Sequence, residues 1–153
     1  MFFNLIQYKL KMHVIKKTPS DWFFLLQAIF FFAIARLILF FPFRYIAHYL
    51  GKANSETSYA SPLQLDRLQH IKRAILRASR IVPWQNKCLV QALSGAMMLK
   101  RYRISSTLYL GINNKADRKL SAHAWLRSGN FYVTGEKNKD NYTIITSYAQ
   151  EMA

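Results

Sequence analysis

At 153 residues the chain is sized for one domain, and a hydrophobic fraction of 52% supplies a core and excludes a disordered chain. Twenty-two basic residues against seven acidic ones give a formal charge of +15, which points to an acidic partner: nucleic acid, anionic lipid or an acidic peptide. One cysteine excludes an internal disulfide and points to a reducing compartment, and the four histidines beside it (His13, His48, His70, His123) lack metal-ligand spacing. With no glycine-rich phosphate loop either, neither metal nor cofactor is expected.

The first fifteen or so residues show no clear period. Thr18-Pro19-Ser20-Asp21 is a helix-start signal, with Thr18 as N-cap, Pro19 in the first helical position and Asp21 near the positive end of the dipole. From Trp22 to Ala35 the chain is uncharged, with Gln27 alone polar, and after Arg36 the apolar run continues to Phe43. A membrane-crossing helix wants about 20 apolar residues, and this stretch reaches that only by including Arg36, which is costly near a bilayer centre. Ala33-Ile34-Ala35 mimics a signal-peptide cleavage site, but the apolar run passes through it. The favoured reading is a buried or membrane-surface helix, ended or kinked by Pro42.

Gly51 to Ala60 is polar and turn-rich, a linker. Ser61-Pro62-Leu63-Gln64 restarts a helix with Ser61 as cap and Gln64 completing a capping box. Leu65, Leu68, Ile71, Ile75 and Val82 then recur at helical spacing among Arg67, Lys72, Arg73, Arg77 and Arg80, and Pro83 stops the helix. The basic face is either solvated or a surface for an acidic partner. Leu89 to Leu99 is apolar in nearly every direction, so this next helix is expected to be buried, with Lys100 and Arg101 complementing its dipole. From Ile104 the period drops to two: Thr107–Ile112, Ala122–Arg127, Phe131–Thr134 and Tyr142–Tyr148 read as strands separated by polar loops and turns. The layout is α+β: a helical N-terminal half packed on an antiparallel sheet. Residues 1–60 form the apolar helix and linker, residues 61–153 the core, together one compact unit.

Cys88 stands where the loop Pro83-Trp84-Gln85-Asn86-Lys87 becomes the buried helix. A thiol in the first turn of a helix faces unpaired backbone N–H groups and the positive dipole end, and both favour the thiolate. Thirty-five residues on, Ser121-Ala122-His123-Ala124-Trp125-Leu126 presents a histidine on a strand, the minimum for Cys–His nucleophilic catalysis. The plainer alternative makes Cys88 a small core residue and His123 a satisfied strand histidine. The backbone N–H of Cys88, with the Gln85 side chain as a second donor, is the candidate oxyanion site, though Gln85 serves equally as a water-bonded loop residue.

A catalytic imidazole needs an orienting group on its other nitrogen. With a two-residue turn at Gly129-Asn130, Ser128 pairs with Phe131 and Glu136 falls opposite His123. With the turn at Ser128-Gly129, Thr134 falls opposite and Glu136 is diagonal. Cross-strand Cβ atoms lie about 4.5–5.5 Å apart and diagonals about 7–8 Å, so Glu136 reaches the ring in either register. Asp140 is the fallback if the loop folds over. Asn130 lies several residues away along the strand, too far unless the strand bends back.

The stretches Pro83-Trp84 … Cys88-Leu89 … Ala92-Leu93 … Met98-Leu99, Leu108-Tyr109-Leu110-Gly111-Ile112 and Ala122-His123-Ala124-Trp125-Leu126 … Val133-Thr134-Gly135 resemble the lasso-peptide leader peptidases. These are similar to the C-terminal domain of the microcin-processing protein, within the transglutaminase-like superfamily. Asp21-Trp22 … Ala35-Arg36-Leu37 … Pro42-Phe43-Arg44 looks like that family's apolar helix, so the resemblance covers about residues 15 to 150. It implies a papain/transglutaminase-like cysteine peptidase that cuts the leader from a ribosomally made precursor, with no cofactor, before an ATP-dependent lactam-forming cyclase closes the ring. Carried over by position, Cys88 is the nucleophile and His123 the general base. Thr134-Gly135-Glu136 spans the region of the acidic third member without a clear aspartate. The family's leader-recognition module is often a separate chain, which implies a partner protein that delivers the precursor. The expected location is cytoplasmic, with contact to the inner membrane face. The alternative is a non-enzymatic basic protein on a membrane surface or nucleic acid. Nucleic acid is not the expected partner, because most aromatics sit in apolar runs rather than among basic residues.

Overall fold

The computed structural model describes residues 18–60, 64–85, 87–113 and 120–152. Helix α1 (Pro19–Ile38) starts as its sequence signal dictates. The Thr18 hydroxyl accepts from the Asp21 N–H at 3.3 Å, and the Thr18 N–H donates to the Asp21 carboxylate at 3.1 Å, so a capping box closes the first turn. Burial pushes the Asp21 carboxyl up, but the hydrogen bonds from Thr18 and the charges of Arg73 and Arg77 outweigh it and hold the group below its ordinary value. The helix ends at Ile38. Pro42 precedes a one-turn helix, α2 (Phe43–Ala47), rather than lying within α1.

Helix α3 (Leu65–Ile81) begins later than the capping-box reading; Ser61, Pro62 and Leu63 lie outside the described residues. Gln64 does not cap it, because the side-chain carbonyl accepts from Arg67 at 2.8 Å. Leu68, Ile71, Ala74, Ile75 and Ala78 form its buried stripe. Helix α4 (Cys88–Arg101) is buried on most sides, as the absence of a polar face requires.

Five antiparallel strands follow the order β1-β5-β2-β3-β4: β1 (Lys52–Ala53), β2 (Ser106–Asn113), β3 (Ser121–Ser128), β4 (Phe131–Thr134) and β5 (Thr143–Gln150). Helix α4 packs on β2, β3 and β4, α3 packs on β4, and α1 lies across α3 and α4, away from the sheet. The architecture is α+β, as expected. At one position α4 comes very close: a Cβ added at Gly95 would stand 2.7 Å from Leu126 Cδ2 and 3.1 Å from Ile75 Cδ1.

The polar segment 51–60 differs from the expected linker. Lys52 and Ala53 pair with Ala149 and Tyr148, making an edge strand. Beyond it the segment folds over the sheet face opposite the helices. There Arg127 is wholly buried: Nε donates to the Tyr109 hydroxyl (2.8 Å), one terminal nitrogen to the Gly129 carbonyl (3.0 Å), and the other to Glu56 and the Thr57 carbonyl (both 3.0 Å). Tyr59 covers the guanidinium at 3.6 Å. A buried cation is tolerated only when its donors are matched, and residues 56 and 57 supply two of the four acceptors. Arg127→Leu is therefore expected to destabilise the fold by about 3–5 kcal/mol, by leaving the buried Thr57 and Gly129 carbonyls and the Tyr109 hydroxyl without their donor; denaturant unfolding measures it.

Candidate active site

Cys88 is the first residue of α4, as its position at a loop-to-helix boundary indicated. The preceding Lys87 supplies no side-chain cap, and the helix ladder begins with Gln91 N–H donating to the Lys87 carbonyl at 3.2 Å. The Lys87 side chain thus takes up none of the first-turn N–H groups, which a helix start leaves without intrahelical partners. Cys88 packs against the helix-side core and is half-buried.

His123 is the third residue of β3. Side chains alternate along a strand, and here Ala124 and Leu126 join the helix-side core while Trp125 stacks on Tyr109 at 5.4 Å on the other face. His123 shares the Trp125 parity. Its ring lies between Trp125 (5.7 Å) and Tyr142 (4.9 Å). The ring Nε2 is 2.8 Å from the Gly135 carbonyl oxygen. A carbonyl only accepts, so Nε2 carries the hydrogen and, in the neutral ring, Nδ1 carries the lone pair.

Both residues line one cavity of about 390 Å³, with Leu39, Phe41, Phe43, Leu89, Leu110 and Ile145 among its walls. Cys88 comes to it from the helix side and His123 from the Trp125 side. Among the described residues no hydrogen bond joins the thiol to the ring. The cavity is mostly apolar and half-open. Among the described residues no group of three His, Cys, Asp or Glu is placed to hold a metal ion.

The remaining expected residues are spread around this centre. The hairpin turn is Gly129-Asn130, the first of the two registers considered, with Ser128 opposite Phe131 and Arg127 opposite Tyr132. A bulge then inserts one residue, so Leu126 pairs with Thr134 and the ladder ends there. Gly135 turns the chain at φ +70°, and its carbonyl, not the Glu136 carboxylate, meets the ring. Glu136 is exposed and lies 3.5 Å from Lys72 Nζ. Asp140 pairs with Lys139 at 2.7 Å, and Asn130 stays in the turn. Gln85 is exposed on the approach to α4 and is not part of the cavity wall.

Two contributors were missed in the sequence. Tyr142 reaches the ring from the start of β5, and no local spacing signals that. Gly135 carried a signal, a glycine directly after a strand, which often marks a left-handed turn. The substitution cost there is explicit: a Cβ would stand 2.4 Å from the Ala124 carbonyl oxygen and 2.7 Å from Trp125 Cβ.

The sequence model of the transglutaminase-like superfamily matches residues 29–147, well over half of the chain. The chain belongs to the transglutaminase-like superfamily. No curated protein and no solved structure matches it. This superfamily includes cysteine peptidases and generally works through a cysteine nucleophile, and the match runs from within α1 into β5.

The hydrogen bond to Gly135 makes a prediction that separates it from Glu136. Gly135→Ala should displace the carbonyl, and histidine ¹⁵N spectra should show His123 losing its fixed Nε2–H tautomer. Glu136→Gln should leave that spectrum unchanged. A wild-type ring protonated at Nδ1 instead would overturn the assignment.

Proposed function

We propose that the chain is a cysteine peptidase that removes the leader from a ribosomally made, lasso-type precursor peptide. The observation that carries this reading is the shared cavity: an uncapped helix start bearing the chain's only cysteine, and a histidine whose Nε2 is already bound so that Nδ1 is the basic atom. The stretches around Cys88 and His123 that resemble leader peptidases supply the substrate class, and membership of the superfamily supports cysteine chemistry.

In this mechanism the Cys88 thiol gives its proton to Nδ1 of His123, and the thiolate attacks the scissile carbonyl. A C–S bond forms and the carbonyl oxygen becomes an oxyanion, held by the first-turn N–H groups of α4. Collapse breaks the C–N bond, the leaving amine takes the proton from the imidazolium, and water then hydrolyses the thioester. The Gly135 carbonyl holds the ring and its tautomer throughout. Being neutral, it stabilises the imidazolium less than a carboxylate would. Thiol and ring close to bonding distance when the substrate peptide fills the cavity, as catalytic hydrogen bonds commonly tighten in the Michaelis complex. A separate leader-recognition protein presents the precursor, and an ATP-dependent lactam-forming cyclase takes the trimmed product.

The reading makes a direct prediction. In a reaction reconstituted with precursor and recognition protein, Cys88→Ala should abolish leader release, with an unchanged far-ultraviolet spectrum and melting temperature. His123→Ala should lower turnover by about 10²–10⁴-fold, on the scale of general acid–base contributions. A folded Cys88→Ala protein that still releases leader would overturn the peptidase assignment.

In the same assay Glu136→Gln should cost less than tenfold, roughly within the range of exposed charge effects. Gly135→Ala should cost more, mainly in kcat, because the ring and not the substrate is misplaced.

A further inference from the structure

Helix α1 has two apolar faces. One carries Phe24, Leu25, Ala28, Phe32 and Ala35 into the core against α3 and α4. The other carries Phe23, Leu26, Phe30 and Leu37, each more than half exposed, at spacings of three, four and seven that align on one side of a helix. The turn after it continues the surface with Phe40 and Phe41, 74% and 66% exposed. Six large apolar side chains in one contiguous strip exceed the scattered exposure of ordinary surfaces.

None of these six side chains carries a hydrogen-bonding group. Gln27, the only polar residue from Trp22 to Ala35, is turned inward, where it accepts from the Tyr102 hydroxyl at 2.7 Å. A protein partner usually meets a polar rim and fixed donors and acceptors, whereas a bilayer surface asks for neither. Apart from the buried Asp21 in the first turn of α1, the charges along this part of the chain have one sign. Residues 22–55 contain Arg36, Arg44 and Lys52 and no Asp or Glu. Arg36 lies over the Phe40 ring at 5.5 Å and Arg44 over the Tyr45 ring at 4.8 Å, so cations and aromatic rings stand together at the end of the strip. That pairing suits the headgroup layer, where amphipathic rings and guanidinium groups both partition.

We propose that this face of α1, with Phe40, Phe41, Arg36 and Arg44, docks the protein on the surface of an anionic bilayer. The helix lies in the interface plane and does not cross, because its opposite face is part of the protein core. By length and composition it is long and apolar enough to cross a membrane, but crossing would require withdrawing Phe24, Ala28 and Phe32 from α3 and α4. Phe41, with its neighbours Leu39 and Phe43, also lines the Cys88 cavity, so docking places the mouth of that cavity beside the lipid surface. The proposal is independent of the peptidase reading, since it rests on the exposed face of α1 and the segment that follows it to Arg44, and uses neither Cys88 nor His123.

The test is flotation of the full chain with vesicles of phosphatidylcholine, with and without phosphatidylglycerol. The wild-type protein should float with the anionic vesicles and bind neutral ones at least tenfold more weakly, on the scale of about 1 kcal/mol per basic residue at such surfaces. Leu26→Gln/Phe30→Gln/Phe40→Gln should weaken binding by about 100-fold or more at an unchanged melting temperature, given the apolar area lost. Arg36→Gln/Arg44→Gln, which keeps the apolar strip, should remove most of the preference for anionic lipid. Equal binding to both vesicle types, or unchanged binding by the triple variant, would overturn the proposal. So would a protein that ignores vesicles and dimerises through this face, with the triple variant monomeric.

Discussion

The close approach of α4 to β3 at Gly95 fixes the geometry on which the site depends. Only a residue without a side chain lets the helix backbone come so near Leu126 and Ile75. From that contact Cys88 lies seven residues back along the helix, about 10 Å at the α-helical rise. His123 lies three residues back along the strand, also about 10 Å. Equal run-back from one contact brings both residues to the same cavity. The same count explains how they stand there. Three residues is an odd number, so His123 leaves β3 on the face opposite Leu126, and ring and thiol approach the cavity from different sides without a direct hydrogen bond.

The ring is positioned by backbone rather than by a carboxylate. A single inserted residue, Val133 of β4, which shifts the pairing between Arg127 and Leu126, decides this. Without it, the hairpin count that holds at Ser128 and Arg127 would have continued and set Glu136 across from His123. With it, the ladder closes at Thr134 and a left-handed glycine aims its carbonyl at Nε2. A neutral acceptor still selects the tautomer and holds the ring plane, which Trp125 and Tyr142 reinforce from both sides. What it does not supply is a full negative charge against the imidazolium, so the proposed chemistry leans more on the first-turn N–H groups of α4.

On the far face of the sheet, Arg127 plays the corresponding structural part. Its four hydrogen bonds tie residues 56 and 57 to β2 and to the β3–β4 turn. Burial, helped by hydrogen bonding to Tyr59 and Glu56, pushes the Tyr109 hydroxyl well above its ordinary value against the lowering pull of Arg127, so at neutral pH it is uncharged and accepts from the guanidinium. The outer face of the strand that carries His123 is thus covered by a segment whose composition alone reads as solvent-exposed linker.

By itself the sequence determined what depends on local chemistry and short periods. The Thr18–Asp21 box set the start of α1, the helical spacing of Leu68, Ile71 and Ile75 set the face of α3, and the unbroken apolar run after Cys88 set the burial of α4. Period-two alternation set the four longer strands, and Gly129-Asn130 set the hairpin turn. Those signals lie within a few residues of one another, where propensity and patterning act directly. Tertiary structure alone decided the rest. The bulge at Val133, the Gly135 carbonyl on His123, the reach of Tyr142 and the pairing of Lys52 with Ala149 all join residues distant in sequence. Beyond the glycine that marks a turn after β4, no local pattern selects these contacts, because register and long-range contact follow from how whole elements pack, and a shift of one residue is enough to exchange a side chain for a backbone carbonyl.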